Sequence, residues 1–384
     1  MTDFQAIIGI IRSRYPGHGE VIPLHAPVMG EGEKAYLAAC VDSTFVSSVG
    51  AYVTRFEEEV ARFCGSRHAI ATVNGTAALH MALLLAGVRP GDLVLTQALT
   101  FVATANAVAH CGAIPLFLDV DRDTLGLDAA ALAVYLAESC RPEGGQLLDR
   151  ESGRRIAACL PMSTFGLPAN LPRIAALCHE HGLPLVEDAA EALGSYRDGR
   201  HMGTFGQMGA LSFNGNKVIT TGGGGMILTD DDELAARARH LTTTAKQPHQ
   251  WAYFHDEVGY NYRLPNLNAA FGCAQLGRLP ALLADKRQLA AEYKAALAEF
   301  GIPFVAEPDN CVANYWLCAM LLSGPEERDG FLVESVAAGV QCRPAWTPLH
   351  RLPMYAGCPR RPLSATEEIA GRLVNLPSTP RVAP

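Results

Sequence analysis

The sequence has no cluster of lysine or arginine residues and no apolar run of about 18 residues. Its 384 residues carry a net charge of −8, so neither a nucleic acid nor an anionic membrane surface is a natural partner. We also expect no membrane span, because a spanning helix needs about 20 consecutive apolar residues. The N-terminal segment lacks a basic leader and a small-residue cleavage site, so no signal peptide is expected. A small-molecule enzyme fits this composition.

The cysteines contain no CxxC pair. There are eleven of them, spread from Cys40 to Cys358, and an odd, scattered set argues against both a disulfide framework and a zinc site. We therefore expect reduced thiols in a cytoplasmic protein, and no metal.

Apolar segments of strand length alternate with segments of helical period in the first part of the chain. "HAIATV", "DLVLTQ" and "LPLVED" are typical of buried strands, and "TAALHMALLLAGV" and "ATANAVAHCG" of helices. This alternation predicts an α/β fold with a largely parallel sheet covered by helices. We expect an N-terminal arm over 1–25, a large domain over 26–244, and a polar loop with a small α+β domain over 245–384.

Four predicted strands end in residues with suitable chemistry, at the sheet edge where ligands of parallel sheets bind. Asn74 or Thr76 in "NGTAAL" caps a helix, either as an ordinary cap or as part of an anion site. Phe101 either stacks on a planar ligand or packs in the core. Asp188 ends a hydrophobic run, where a carboxylate needs a cationic partner unless it simply caps the next helix.

Lys217 completes this set. It lies in "SFNGNKVITTGGGG", between asparagines and a run of four glycines. A lysine that loses its proton through burial is an amine nucleophile, able to form a Schiff base with an aldehyde. Together with a phosphate cradle, a stacking ring and a buried acid, it points to a pyridoxal 5'-phosphate site. The glycines complete neither GxxxxGK[ST] nor GxGxxG.

Several segments together resemble one family over nearly the whole chain, the pyridoxal phosphate-dependent sugar-nucleotide aminotransferases of the DegT/DnrJ/StrS type. They are "NGTAALHMAL", "TFVATANAV", "VEDAAEALGS", "SFNGNKVITTGGGGMILTDD", "GYNYRLPNLNAA" and "CRPAWTPLH". The resemblance implies the fold type I architecture, with a large, mostly parallel seven-stranded sheet domain and a smaller α+β C-terminal domain. "TTTAKQPHQWAYFHDEVGYNYR" is most similar to the branch of legionaminic acid and related amino-sugar pathways.

This resemblance implies a reaction as well as a fold. L-Glutamate would donate its amino group to the C4 keto group of a nucleotide-linked 4-keto-6-deoxyhexose and leave as 2-oxoglutarate, in the biosynthesis of bacterial surface amino sugars. The branch suggests UDP-2-acetamido-2,6-dideoxy-hexos-4-ulose as acceptor, with a GDP-linked sugar as the second choice.

The resemblance also assigns residues to the cofactor. Lys217 is expected to carry it through the Schiff base, Asp188 to face its ring nitrogen, and Phe101 to stack on its ring. The phosphate contacts are assigned to three residues, the first two partly through backbone amides: Thr76, Ala77 and Ser212.

Other positions carry looser expectations. Asn261 is expected to reach across a two-fold interface to the cofactor phosphate of a partner subunit, which implies a homodimer with shared active sites. Arg343 and His350 lie in the segment that approaches the sugar in the family. Glu191 stands where the family commonly has glutamine or histidine near the cofactor hydroxyl, and Ser163 stands where many relatives have histidine.

Two other classes of protein are alternatives to an aminotransferase. Pyridoxal phosphate-dependent sugar dehydratases share the fold but have histidine at the position of the Schiff-base lysine, so Lys217 argues against them. A non-enzymatic regulator would be expected to show a helix-turn-helix or a basic face, and the sequence indicates neither.

Overall fold

The computed structural model describes residues 3–17 and 19–383. In that part of the chain the α-helices are α1 (Phe4–Ser13), α2 (Glu31–Asp42), α3 (Ala51–Cys64), α4 (Gly75–Leu85), α5 (Val102–His110), α6 (Ala129–Ser139), α7 (Leu171–Glu180), α8 (Asp232–Thr242), α9 (Asn266–Ala298), α10 (Pro325–Ala337) and α11 (Ser364–Arg372). Single 3₁₀ turns span Thr164–Gly166 and Leu349–Arg351. None of these helices is long and apolar enough to cross a bilayer.

The strands of the same residues are β1 (His68–Thr72), β2 (Leu93–Gln97), β3 (Ile114–Leu118), β4 (Cys140–Glu143), β5 (Gln146–Asp149), β6 (Ile156–Cys159), β7 (Val186–Asp188), β8 (Tyr196–Arg197), β9 (Arg200–His201), β10 (Met208–Ser212), β11 (Gly225–Thr229), β12 (Cys311–Val312), β13 (Cys318–Leu321), β14 (Arg343–Pro344) and β15 (Leu373–Leu376).

The central sheet consists of two ladders, β3-β2-β6 and β7-β10-β11-β1. Parallel bridges from Cys159 to Leu185 and from Met162 to Asp188 join them between β6 and β7. Strand β11 is antiparallel to β1 and β10, whereas the other ladder pairings are parallel. The predicted mostly parallel sheet is confirmed.

Continuous apolar strands explain why this sheet lies at the centre of the molecule. Every residue of β2 and β11 is buried, as expected for strands that helices cover on both faces. Helix α4 follows β1 directly, and the side chain of Asn74 caps it by accepting the N–H of Ala77 at 2.8 Å. The sheet therefore presents helix N-termini at the edge where its parallel strands end.

A smaller unit is built around the antiparallel sheet β13-β15-β14 and helices α10 and α11. Helix α1 packs against α10, with the rings of Phe4 and Phe331 5.5 Å apart, and Ile22 bridges to Val340. The N-terminal arm therefore packs on the C-terminal unit. The predicted smaller α+β unit is confirmed, while the division into 1–25, 26–244 and 245–384 stays a prediction.

Candidate active site

A cavity of about 320 Å³ opens where the parallel strands end. It is lined by seven of the residues singled out from the sequence: Asn74, Thr76, Phe101, Asp188, Glu191, Ser212 and Lys217. They belong to four stretches of chain at and after the ends of β1, β2, β7 and β10. The sheet brings these stretches together because those strands run in the same direction.

The amine of Lys217 has two contacts in this cavity. Its Nζ donates to Oε1 of Glu191 at 3.1 Å and lies 3.9 Å from the centroid of the Trp316 ring. The second carboxylate oxygen of Glu191 accepts the N–H of Phe165 at 2.9 Å. Burial raises the pKa of Glu191 to about 7, although Lys217 and the hydrogen bond from Phe165 act in the opposite direction. The amine therefore pairs with a buried carboxyl whose pKa burial holds above its ordinary value.

Asp188 is the last residue of β7 and is 2 % exposed. Its two donors are neutral, because the hydroxyl of Thr104 donates to Oδ2 at 2.7 Å and the N–H of Ala190 donates to Oδ1 at 3.2 Å. Burial raises the pKa of Asp188, and these hydrogen bonds and Lys217 oppose the rise. A buried carboxyl on a cavity wall is suited to pair with a cationic group of a ligand.

The start of α4 forms the second end of the cavity. Gly75 lies so close to Ser212 that an added Cβ would be 2.9 Å from the Ser212 Cβ, so glycine allows this approach. The first amides of a helix have no intrahelical acceptor and favour an anion. The N–H of Ala77, in contrast, already donates to the side chain of Asn74. It is therefore not free to bind a phosphate in this structure, and the predicted phosphate contact of Ala77 stays a prediction.

The glycine run after Lys217 shapes the backbone. Gly222 has φ of +81°, which favours glycine. A Cβ on Gly225 would lie 2.4 Å from the carbonyl carbon of Asn74. These glycines therefore let β11 approach the start of α4 and fix the turn that carries Lys217.

Phe101 is not part of the core, since it is 45 % exposed. Its ring centroid lies 6.0 Å from that of Trp346, which in turn lies 4.8 Å from that of Phe165. Sequence reasoning did not single out Trp346 or Trp316, which also line the cavity. Trp346 lies in the quoted segment "CRPAWTPLH", whereas nothing in its neighbourhood distinguishes Trp316.

Besides Ala77, three further predicted residues do not line this cavity. Asn261 is exposed and bridges Thr243 through its backbone, so its predicted role depends on a second subunit. Arg343 is exposed on β14. His350 contacts Glu367 through Nε2 at 2.7 Å, and burial lowers the pKa of this histidine. The structure does not bring Arg343 or His350 to the cavity, and their contact with a sugar stays a prediction.

Ser163 lies directly behind the site. It is 3 % exposed, and its N–H donates to the backbone carbonyl of Asp188 at 3.1 Å. The residue at this position therefore contacts the strand end that carries the buried carboxyl.

Comparisons with known proteins point to the same chemistry. The model of the DegT/DnrJ/EryC1/StrS aminotransferase family matches residues 27–384. The GDP-perosamine synthase of Vibrio cholerae is 34% identical over 365 residues, which is 94% of each chain. That of Caulobacter vibrioides is 37% identical over 93% of each chain. Among solved structures, a DegT DnrJ EryC1 StrS aminotransferase from Brucella abortus superimposes with a TM-score of 0.83 at 30% identity, over 92% of this chain and 91% of that one.

Proposed function

The chain belongs to the DegT/DnrJ/EryC1/StrS aminotransferase family, and on that premise we propose that it moves the amino group of L-glutamate to the C4 keto group of a nucleotide-linked 4-keto-6-deoxyhexose. Members of this family are transaminases that act on sugars with pyridoxal phosphate. The donor, the sugar and the nucleotide are the proposed parts. The observation that carries the proposal is the amine of Lys217 in one cavity with the buried carboxyl of Asp188.

The cavity fits the cofactor of the family. We assign Lys217 to its aldehyde carbon, Asp188 to its ring nitrogen and Phe101 to its ring face. Thr76 and Ser212, with the first amides of α4, are assigned to its phosphate. When bound, the cofactor supplies an electron sink that allows a bond at the substrate carbon to break.

The side chains of this protein would then move and hold protons. The Nζ of Lys217 removes the proton from Cα of glutamate and, in the second half-reaction, delivers a proton to the former C4 keto carbon. The carboxylate of Asp188 keeps the ring nitrogen protonated, and Thr104 orients that carboxylate. Both halves use the same cavity, so 2-oxoglutarate leaves before the sugar binds and the kinetics are ping-pong.

The names of two relatives help to choose between a GDP-linked and a UDP-linked substrate. The sequence resemblance suggested a UDP-linked 2-acetamido sugar, whereas the two relatives named GDP-perosamine synthase match nearly the full chain at 34% and 37% identity. We therefore place a GDP-linked 4-keto-6-deoxyhexose first and the UDP-linked sugar of the legionaminic type second.

Purified protein incubated with L-glutamate and a panel of GDP- and UDP-linked 4-keto sugars tests this proposal. The expected product has an amino group in place of the keto oxygen, read by mass spectrometry. Conversion of simple keto acids alone would overturn the sugar assignment. Borohydride reduction and peptide mapping should place a pyridoxyl group on Lys217, and a protein without that label would instead fit a sugar dehydratase.

We further propose a homodimer with shared active sites. Asn261 is exposed in the single chain, and so is the neighbouring aromatic loop, in which Trp251 is 78 %, Tyr253 83 % and Phe254 62 % exposed. Exposed apolar groups of this size are typical of a protein interface. Asn261 is assigned to the cofactor phosphate of the partner subunit.

Mixed dimers test this assignment. Lys217→Ala removes the nucleophile, and Asn261→Glu sets a carboxylate against the phosphate. When the two inactive variants are unfolded and refolded together, a contact in trans should restore roughly a quarter of the sites, because half of the dimers are mixed and each has one intact site. If the contact lies within one chain, the refolded mixture should stay inactive.

A cytoplasmic location is also part of this proposal. Its support is that the cysteines of the chain, all eleven of them, are unpaired thiols, of which nine are buried, as is usual for proteins of a reducing compartment.

A further inference from the structure

A fully buried lysine lies behind the cavity. Lys286, on α9, is 1 % exposed, and its Nζ donates to the carbonyl oxygens of Ser378 at 2.6 Å and Trp316 at 3.2 Å. The same Nζ lies 3.0 Å from Nε2 of His25. A buried ammonium is costly unless acceptors surround it. These acceptors come from three distant segments, so Lys286 ties the N-terminal arm, the C-terminal segment and Trp316 to one helix.

Trp316 is fixed by more than this bond. Its backbone N–H donates to Oδ1 of Asn314 at 2.8 Å, and its indole Nε1 donates to the carbonyl of Asn216 at 2.6 Å. Asn314 in turn donates to the carbonyl of Glu191 at 2.7 Å. The ring is 5 % exposed. Backbone and side chain are therefore both anchored, and the ring has one orientation.

That orientation places the ring face against the amine of Lys217, with Nζ 3.9 Å from the ring centroid. An ammonium over the face of tryptophan is attracted by the ring quadrupole, more strongly where water is excluded. The bond from Nε1 also holds the carbonyl of Asn216, the residue before Lys217. The ring face of Trp316 thus fixes the amine of Lys217, and its ring nitrogen fixes the backbone just before Lys217.

We propose that Trp316 is a positioning residue for Lys217, and that Lys286 with His25 holds Trp316 in place. The ring keeps the amine within reach of the reacting carbons during the periods when it is not bonded to the cofactor, and it stabilises the protonated form that exists between proton removal and proton delivery. This proposal rests on the role of Lys217 proposed above. If Trp316 only fills the core, its replacement changes stability and leaves the chemistry of Lys217 unaltered.

Competitive labelling of the cofactor-free protein measures this contact without catalysis. An amine-reactive reagent is applied across a pH series, and mass spectrometry follows the peptide that contains Lys217. In Trp316→Leu the pH of half-maximal labelling should fall by about one unit, because the protonated amine loses the ring. Trp316→Phe keeps a ring and should stay close to wild type. The exposed Lys294 of α9 is the internal control.

Fluorination provides a second measurement if the leucine variant does not fold. 5-Fluorotryptophan keeps the shape of the ring and weakens its negative face. Fluorinated wild type should shift in the same direction as Trp316→Leu by a smaller amount, whereas fluorinated Trp316→Phe should not shift. Equal labelling curves in every protein would overturn the proposal.

Turnover gives an independent readout. Trp316→Leu should lower kcat roughly tenfold and leave KM for glutamate within about twofold, because proton transfer is impaired while substrate binding is not. Trp316→Phe should recover most of the loss, Lys286→Met should show a partial loss, and Lys294→Met none. If wild type itself takes no pyridoxyl label on Lys217, the proposed function fails. If it is labelled but Trp316→Leu turns over normally, only the present inference fails.

Discussion

The partly buried Lys217 and the fully buried Lys286 differ in what surrounds them. Lys217 lies in a glycine-rich turn after β10, lines an open cavity, and contacts a carboxylate and an aromatic ring. Lys286 lies within α9 and contacts two backbone carbonyls and an imidazole. Burial lowers the pKa of Lys286 to about 7, a property often used to find catalytic lysines. Access to a cavity and an acidic partner, rather than burial, therefore distinguish the lysine to which we assign the reactive amine.

Replacing each lysine in turn tests most directly whether the two amines have different roles, and it should have the largest effect. Lys217→Ala should lower kcat about a thousandfold or more, because it removes both the cofactor attachment and the proton carrier. Lys286→Met should keep most activity and the pyridoxyl label on Lys217. Turnover and borohydride mapping of both variants check this. If Lys286→Met lost the label while Lys217→Ala kept it, the roles assigned to the two lysines would be reversed.

Asp188→Asn tests whether turnover needs the negative charge of the buried carboxylate. The amide keeps the shape of the side chain and can still accept the hydrogen bond from Thr104, but it removes the negative charge. The ring nitrogen of the cofactor would then no longer be held protonated. We expect kcat to fall roughly 10²- to 10³-fold. Thr104→Val, which leaves the charge and removes one donor, should cost much less. Unchanged turnover in Asp188→Asn would show that this carboxyl has another purpose.

The burial of Lys286 should make the free energy of unfolding depend on pH. The pKa of Lys286 is lowered from 10.5 to about 7 in the folded state, so between these values the unfolded chain holds a proton that the folded chain has released. Wild type should therefore gain stability relative to Lys286→Met as pH rises from 7.5 to 9.5, by about 1 kcal/mol per pH unit. Urea unfolding of the cofactor-free proteins measures the slope.

The matched control for this slope is Lys294→Met, at an exposed position of the same helix. Its stability difference from wild type should hardly change with pH, since an exposed amine has nearly the same environment in both states. A flat difference for Lys286→Met as well would mean that the buried amine stays charged throughout.

Strand-end reasoning found Lys217, Asp188 and Phe101 because each follows an apolar strand whose end position is encoded locally. The alternation of strands and helices likewise predicted the parallel sheet. Lys286 and Trp316 could not be found in this way. Their partners lie far away in the sequence, as the pairing of position 286 with position 25 illustrates, and no local pattern encodes a contact between such segments.

The assignments of Arg343 and His350 illustrate what a resemblance over a whole segment leaves undetermined. Both came from a segment that approaches the sugar in the resembling family, yet the structure exposes Arg343 on β14 and pairs His350 with Glu367. A segment-level resemblance places the chain near a site but does not determine which side chains face it. Within that segment it is Trp346 that lines the cavity.

The smallest expected effect concerns Glu191, and its sign is opposite to that of Lys286. Burial raises the pKa of Glu191 from 4.5 to about 7, so between these values the folded chain holds a proton that the unfolded chain has lost. Wild type should therefore lose stability relative to Glu191→Gln as pH rises from 5 to 7, and the difference should level off above 7. The full shift would correspond to about 3 kcal/mol, and we expect about 2 kcal/mol of it between pH 5 and 7. Urea unfolding at pH 5, 6, 7 and 8 measures this, with the exposed Glu299→Gln as the control that should stay flat. A wild type that instead gained stability over Glu191→Gln across this range would show that Lys217 outweighs burial and holds Glu191 ionised.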